Sequence, residues 1–346
     1  MRLPAEMRRV PASERGAFAM WFLLSHYFPE NRLVKARQLA VRQRVAAHVR
    51  RAGRGRVIQV QRVESLSPEQ FRRQYLFSGT PVIISRAAID WPCTKNWSFD
   101  GFSKLYGDLA IKLVNQKGLC DDEPIDGQEF SEELPLRDFL AQVTTGGMKY
   151  MRFSPLLEMI PELLKDFDQK YLKEMPGPLG LGTTFQAFIG GAGTFTPLHN
   201  SPTPFFFVNA MGVKRWAFVP NEYLAVLNPP PEGRGYNYST ADVNNPDDPA
   251  HPGFESVDRL EAVLEPGDVL YVPSWMWHCV QNESPTIGVR CGFLYPGGML
   301  TESQTLFLAR VFAGKNPTFL QGILNTLRGD LPSRETGLLA PKIFRW

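Results

Sequence analysis

The sequence predicts a mostly β protein, a barrel or sandwich of short strands with helical additions, and three observations carry that expectation. From Thr183 to Phe293, short apolar runs are separated by Gly and Pro turns. Within that region Phe205 to Val208 is apolar without a break, and beyond a turn at Gly212 a second run alternates from Lys214 to Phe218. These two runs read as paired, largely buried strands forming a central hairpin. The segments Ala17 to Phe28, Leu33 to Val49 and Thr301 to Phe312, by contrast, hold neither Gly nor Pro and read as helices.

A chain of 346 residues with 43% hydrophobic content can bury a real core, as one large domain with appendages or as two modest ones. The formal net charge is only +3, but its distribution is uneven. Residues 1–62 carry 14 Lys/Arg against 3 Asp/Glu, leaving 24 against 32 for the remainder. The basic excess therefore belongs to an N-terminal extension. Cys93, Cys120, Cys279 and Cys291 lack Cys-x-x-Cys spacing, which argues against a zinc ribbon or disulfide scaffold and for a reducing compartment. The apolar stretch Ala17 to Phe28 is too short to span a bilayer, and no small-residue cleavage site follows it. The expectation is a soluble, cytoplasmic protein without a transmembrane segment.

Taken in order, residues 1–62 form a basic helical arm whose apolar face holds Leu33, Val34, Leu39, Val41, Val45 and Val49, ending in a linker from Arg50 to Arg56. Packing on the body is the favoured role; contact with nucleic acid or an anionic surface has no motif behind it. Ser67 and Pro68 open a helix by N-cap and first-turn chemistry. Thr80 to Ser85 is a strand, Phe99 to Tyr106 a helix and Leu109 to Val114 a strand. Asp121, Asp122, Glu123, Asp126 and Glu129 mark a surface loop, Pro135 to Leu140 opens a helix, and Met148 to Phe153 is strand-like. Leu156 to Leu172 reads as one helix. Strands follow at Thr184 to Ile189, Val269 to Val272, Cys279 to Asn282 and Thr286 to Phe293. Beyond Gly298, Thr301 to Phe312 and Pro317 to Leu327 are too apolar for lone helices; they cover the barrel or pair with a second subunit as a homodimer. Three units result: the arm at 1–62, a barrel at 63–298 and a C-terminal helical segment at 299–346.

Chemistry concentrates at two places far apart in sequence. His199 and Ser201 share one face of a strand, Lys214, Trp216 and Phe218 share a face of the next, and His278 enters from a distant strand. Two histidines converging inside a barrel make half of a metal site, whose full form for non-haem Fe(II) is two His and one carboxylate. A lysine on a buried strand needs an anionic partner or a route to solvent.

The motifs His199-Asn200-Ser201, Gly212-Val213-Lys214 and Pro266-Gly267-Asp268 through Trp275 and Trp277 to His278 resemble those of the JmjC branch of the cupins. This branch comprises Fe(II)/2-oxoglutarate oxygenases, among them the asparaginyl hydroxylase of hypoxia signalling. The resemblance covers roughly residues 63 to 298, including the Gly79 to Ile84 entry strand and the Trp91-Pro92 turn. It implies a double-stranded β-helix of the jelly-roll type, with Fe(II) as metal and 2-oxoglutarate as cosubstrate. By it, His199 and His278 would be iron ligands, and Lys214, helped by the Thr196 hydroxyl, would hold the distal carboxylate of 2-oxoglutarate. Arg290, on the last strand, is a second cation that either faces the cavity, beside the cosubstrate, or points outward into a salt bridge.

One position departs from the pattern: Ser201 stands where the family places its carboxylate ligand. A serine hydroxyl stays protonated near neutral pH, so the site loses a donor and a negative charge. Three readings follow. Water or another side chain fills the position and hydroxylase chemistry survives on an unknown small molecule or peptide. An anion fills it, as in the halogenases that replace the same carboxylate with a small residue. Or metal chemistry is lost, and the barrel is a binding module. Asp242, Asp247, Asp248 and His251 between the motifs read as solvated loop residues, His26 and His48 as helix-packing residues, Trp275 and Trp277 as barrel wall, and Cys279 as facing away from the His278 side.

Overall fold

The computed structural model describes residues 7–114, 130–230 and 237–313, beginning with helices α1 (Ala12–Tyr27) and α2 (Arg32–Arg50). Asn31 starts α2 by accepting from the N–H groups of Leu33 and Val34, two of the donors that a first turn leaves unsatisfied. Val34, Val41, Val45 and Val49 then lie buried along one stripe. Strands β1 (Val57–Gln59) and β2 (Arg62–Val63) lead into the body. Ser67 and Gln70 form a capping box on α3 (Pro68–Phe71). There follow β3 (Val82–Ile84), α4 (Pro92–Asn96), α5 (Phe99–Tyr106), β4 (Ala110–Val114), β5 (Phe130–Pro135), α6 (Leu136–Thr144) and β6 (Tyr150–Ser154). The acidic loop at 121–129 and the helix read at 317–327 lie outside the described residues.

The span read as one helix from Leu156 to Leu172 is three short pieces: α7 (Leu156–Met159), a 3-10 turn at Pro161–Asp166 and α8 (Gln169–Glu174). Pro161 lacks the N–H that would continue α7. Asp168 then caps a fresh start by accepting from the Tyr171 N–H at 2.8 Å. The strands β7 (Leu181–Gly190), β8 (Phe195–Asn200), β9 (Phe205–Met211) and β10 (Lys214–Val219) come next. They precede α9 (Leu224–Leu227), β11 (Asn237–Tyr238), β12 (Arg259–Leu264), β13 (Val269–Val272), β14 (Trp277–Asn282) and β15 (Thr286–Leu294). Helices α10 (Pro296–Thr301) and α11 (Gln304–Ala313) end the described chain.

Hydrogen bonding sorts the strands into a sheet of six, ordered β1-β12-β10-β14-β8-β11, and a sheet of nine, ordered β2-β3-β13-β9-β15-β7-β6-β4-β5. This is the jelly-roll arrangement of a double-stranded β-helix, mostly antiparallel. Apolar side chains fill three layers. Phe205, Phe207, Trp216, Phe218, Leu270 and Val280 pack between the sheets. Phe71, Phe139, Phe206 and Val208 lie where helices cover the outer face of the large sheet, and Val45, Trp275, Trp277 and Leu306 where α1, α2, α9 and α11 cover the small one.

The central hairpin is corrected by this topology. β9 pairs with β13 and β15 in the large sheet, whereas β10 pairs with β12 and β14 in the small one. The Gly212 turn carries the chain from one sheet to the other, and Phe207 meets Trp216 across the sandwich with ring centroids 5.0 Å apart. Gly212 adopts φ 75°, and a Cβ there would fall 2.1 Å from the Pro285 carbonyl oxygen, so only glycine makes this crossing. An apolar run buried on both faces fits either partner, which is why periodicity gave the strands but not their pairing.

The basic arm lies against acids of the barrel. Arg8 and Arg56 both reach Asp258, Arg9 reaches Glu222, Arg50 reaches Glu255, Arg54 reaches Asp247 and Arg62 reaches Asp268. Helix α11 packs on α1, placing Leu306 and Ala309 in the same cluster as Phe18 and Phe22. Among the described residues no helix is long and apolar enough to cross a membrane.

Candidate functional site

β8 and β14 are neighbours in the small sheet, and their register sets His199 directly opposite His278. The ring centroids are 4.2 Å apart. Each ring has Nδ1 at 2.8 Å from the carbonyl oxygen two residues before it, Pro197 for His199 and Met276 for His278. A carbonyl only accepts, so Nδ1 carries the proton in both neutral rings and Nε2 the lone pair. Burial lowers the His199 pKa to about 4 and drives that of His278 well below its ordinary value, the neighbouring His199 adding to the latter. Both imidazoles are therefore neutral at pH 7.

On β10, Lys214 is fully buried with 0% exposure, so it does not snorkel to the barrel rim. Its Nζ donates to Asn282 Oδ1 at 2.6 Å and to the Tyr150 hydroxyl at 3.3 Å, and it lies over the Tyr150 and Phe207 rings at 5.4 and 5.5 Å. The Asn282 amide group donates to Thr194 Oγ1 at 2.7 Å, which turns its oxygen toward the lysine. Among the described residues no carboxylate pairs with Lys214, and burial alone lowers its pKa to about 7. Burial also pushes Tyr150 up to about 12, which keeps the phenol protonated as a donor. Tyr150 and Thr196 stand on the cavity wall, and Lys214 is set just behind Tyr150.

Ser201 follows β8 on the His199 side of the cavity. Its carbonyl accepts from the Trp275 N–H at 2.6 Å, tying the first motif to the second. From the facing sheet, Arg290 on β15 reaches across the interior: Nη2 lies 2.8 Å from Thr203 Oγ1 and 3.5 Å from Ser201 Oγ, and Nη1 lies 3.1 Å from Gln186 Oε1. The guanidinium sits over the Phe205 ring at 4.7 Å and is only 6% exposed. Its charge contributes to the lowered pKa of both histidines.

A small cavity lies among these residues, walled by Phe153, Phe188, Phe205, Phe207 and Trp216 around the polar groups. His199, Ser201, His278, Thr196 and Arg290 all line it. Sequence reasoning missed Tyr150, Asn282 and Arg152. Tyr150 and Arg152 sit on the strand-like segment read at 148–153, and Asn282 ends another strand; register sets Asn282 opposite Lys214, Tyr150 meets the lysine from the facing sheet, and the Arg152 guanidinium lies over the Tyr150 ring at 5.6 Å. Phe153, whose ring is 6.4 Å from that of His199, holds φ at 51°, a left-handed backbone that a non-glycine residue adopts at a cost. His251 is corrected: it is buried, with Nδ1 3.2 Å from the Val226 carbonyl oxygen and Nε2 2.8 Å from Thr240 Oγ1, rather than solvated. Asp242 and Asp248 cap turns at Asn244 and Ala250.

The imidazole pair suits a metal ion, but the third position does not. Among the described residues no group of three His, Cys, Asp or Glu converges. A neutral hydroxyl with a guanidinium at 3.5 Å replaces the carboxylate that would offset a dication. The full facial set for Fe(II) is absent from these residues.

The architecture and the motif geometry agree with comparison to known proteins. A family model described as a cupin-like domain matches residues 68–293, and the chain belongs to this family, in its JmjC-type branch. It is 29% identical over 238 residues to the lysine-specific demethylase JMJ30 of Arabidopsis thaliana, covering 66% of this chain and 53% of that protein. It is 28% identical over 225 residues to lysine-specific demethylase 8 of Xenopus tropicalis, covering 62% and 48%. To the human HSPB1-associated protein 1 it is 26% identical over 251 residues, covering 64% and 49%. The chain thus spans about half the length of the curated relatives it matches.

Proposed function

We propose that this chain is an Fe(II)/2-oxoglutarate oxygenase-like protein in which the cosubstrate half of the site is intact, so that the cavity binds a short dicarboxylate of the 2-oxoglutarate class. The observation that carries this reading is Lys214, a fully buried side chain whose hydrogen-bond partners among the described residues, Tyr150 and Asn282, are neutral. An ammonium so placed costs several kcal/mol of desolvation unless an anion meets it. One carboxylate of the ligand would take the ammonium charge and accept from the Tyr150 and Thr196 hydroxyls. The aromatic wall excludes water there, which strengthens the pairing. In the family, the metal supplies oxidative decarboxylation of the cosubstrate and oxidation of a C–H bond; His199 and His278 would be the residues to hold such an ion here.

The relatives named lysine-specific demethylases act, by their names, on lysine. Arg290 on the cavity wall and Lys214 behind Tyr150 favour an anionic or neutral occupant over an ammonium. The Ser201 and Arg290 arrangement supports a second reading, a binding module without turnover.

Calorimetric titration with 2-oxoglutarate, in anaerobic Fe(II), tests the proposal. Wild type should bind, and Lys214→Met should bind at least about 30-fold more weakly, the loss of a desolvated ion pair. Equal binding by the variant would contradict the proposal. Succinate formation in air separates oxygenase from binding module, and Ser201→Asp should raise Fe(II) affinity by restoring the missing carboxylate. Chloride dependence of any turnover would mark the halogenase-like variant.

A further inference from the structure

The α1–α2 hairpin carries more apolar surface than its packing on the barrel uses. From Gly16 to Phe28 the chain runs thirteen residues without Asp, Glu, Lys or Arg, and a helix that is apolar all round is ordinarily covered all round. Here the cover is one-sided. Phe18 and Phe22 are buried with residues of α2, α9 and α11, whereas Met20 and Tyr27, seven positions apart and so on one face, stand outward at 49% and 54% exposure. The turn that follows is as open: Phe28 is 53% exposed and Leu33, at the start of α2, 60%. Among the described residues fourteen large apolar side chains are exposed, and five of them fall between Met20 and Leu39, with the rest scattered from Val57 to Leu308. That concentration needs a reason.

The turn holds these side chains in a fixed arrangement. The Phe28 N–H donates to the Leu24 carbonyl oxygen at 2.9 Å and the Asn31 N–H to that of Phe28 at 3.1 Å, while the Asn31 side chain caps α2. Charge at the tip is arranged differently from the rest of the arm, whose arginines meet carboxylates of the barrel. Lys35 is paired with Glu30 at 3.0 Å within the tip itself. Arg32 and Arg37 are exposed, and among the described residues neither meets a carboxylate.

We propose that this tip docks on an anionic lipid surface, Phe28, Leu33 and Tyr27 entering the headgroup layer and Arg32 and Arg37 meeting lipid phosphates and carboxylates. Rings and leucine beside long cationic side chains are the composition that lies in a membrane interface, the apolar parts at headgroup depth and the cations reaching the negative surface. Nucleic acid would answer the arginines but leave Met20 and Leu33 in water. A two-fold contact between copies of the chain would cover the apolar face but bring arginines toward the same arginines of the other copy, a repulsion that an anionic surface turns into attraction. The association is peripheral, through one turn and the adjoining helix ends, and it does not depend on the dicarboxylate reading of the cavity.

Flotation of the full chain on a density gradient tests it, with vesicles of phosphatidylcholine alone and with vesicles in which roughly a third of the lipid is phosphatidylserine. The protein should partition at least about tenfold more strongly onto the anionic vesicles, and less so at high salt. Arg32→Gln with Arg37→Gln should weaken that partition about tenfold. Phe28→Ser with Leu33→Ser should weaken it about tenfold or more, with the thermal midpoint near that of wild type because both side chains are exposed. If the apolar pair fails to fold, the arginine pair decides. No flotation, equal flotation on both kinds of vesicle, or flotation undiminished in both double variants overturns the proposal. Sedimentation velocity runs alongside: a wild-type dimer that Phe28→Ser with Leu33→Ser converts to monomer, without flotation, gives the face to a second copy and overturns it as well.

Discussion

The protein holds two concentrations of positive charge, and they are satisfied in opposite ways. Along the N-terminal arm, Arg8, Arg9, Arg50, Arg54, Arg56 and Arg62 each meet a carboxylate of the barrel. In the interior, Lys214 is fully buried among Asn282, Tyr150 and Phe207 with no carboxylate among the described residues. The arm is where charge is densest in the sequence, yet much of that charge is answered within the chain. A lysine that is invisible in the net charge has, by its burial, a reason to await an anion. Charge density in a sequence therefore marks docking of the arm, while charge burial in the structure marks the site.

Four changes sharpen or break this contrast. The largest effect belongs to Asp258, whose fully buried carboxylate accepts from the backbone N–H groups of Arg8 and Arg56 and from the Arg56 guanidinium. Asp258→Ala should cost about 3–5 kcal/mol of stability, read from urea unfolding, because buried donors and cations lose their acceptor. Interior charge should respond the other way. Lys214→Met, about the same volume without the ammonium, should stabilise the ligand-free protein by about 1–4 kcal/mol while abolishing dicarboxylate binding. A destabilised variant would mean that Lys214 already has the partner it needs.

A pH series gives a smaller and more specific effect. Burial lowers the Lys214 pKa from 10.5 to about 7, so between those values the unfolded chain binds a proton that the folded chain does not. Stability of the ligand-free protein should rise with pH across that window, and Lys214→Met should lose this part of the slope. Dicarboxylate binding requires the ammonium, so it should take up a proton above pH 7 and weaken as pH rises, which calorimetry in buffers of different ionisation heat will show. The smallest effect is expected at Arg54, more than half exposed in its pair with Asp247. Arg54→Ala should change stability by about 0–1 kcal/mol, less at high salt.

Much of this architecture was legible in the sequence, for identifiable reasons. Alternation placed His199 with Ser201 and Lys214 with Trp216 on shared faces, because the side-chain period of a strand is fixed by its backbone. It did not show that β9 and β10 belong to opposite sheets, since Phe205 to Val208 is buried on both faces and gives no partner preference. Tyr150 and Asn282 went unseen because what makes them part of the site is their approach to Lys214 from other strands. Arg290 was visible as a cation on the last strand, but its reach to Ser201 across the sandwich depends on how two sheets face each other. Pattern within a strand is local information, and contact between strands is not.

What the buried lysine meets decides the function, and a crystal structure of the protein soaked anaerobically with Fe(II) and 2-oxoglutarate addresses that directly. The expected result is a carboxylate at about 2.7–2.9 Å from Lys214 Nζ, with the Tyr150 and Thr196 hydroxyls turned toward it. An unchanged bond from Lys214 to Asn282 with the cavity free of the acid, or the acid bound elsewhere on the surface, would contradict it.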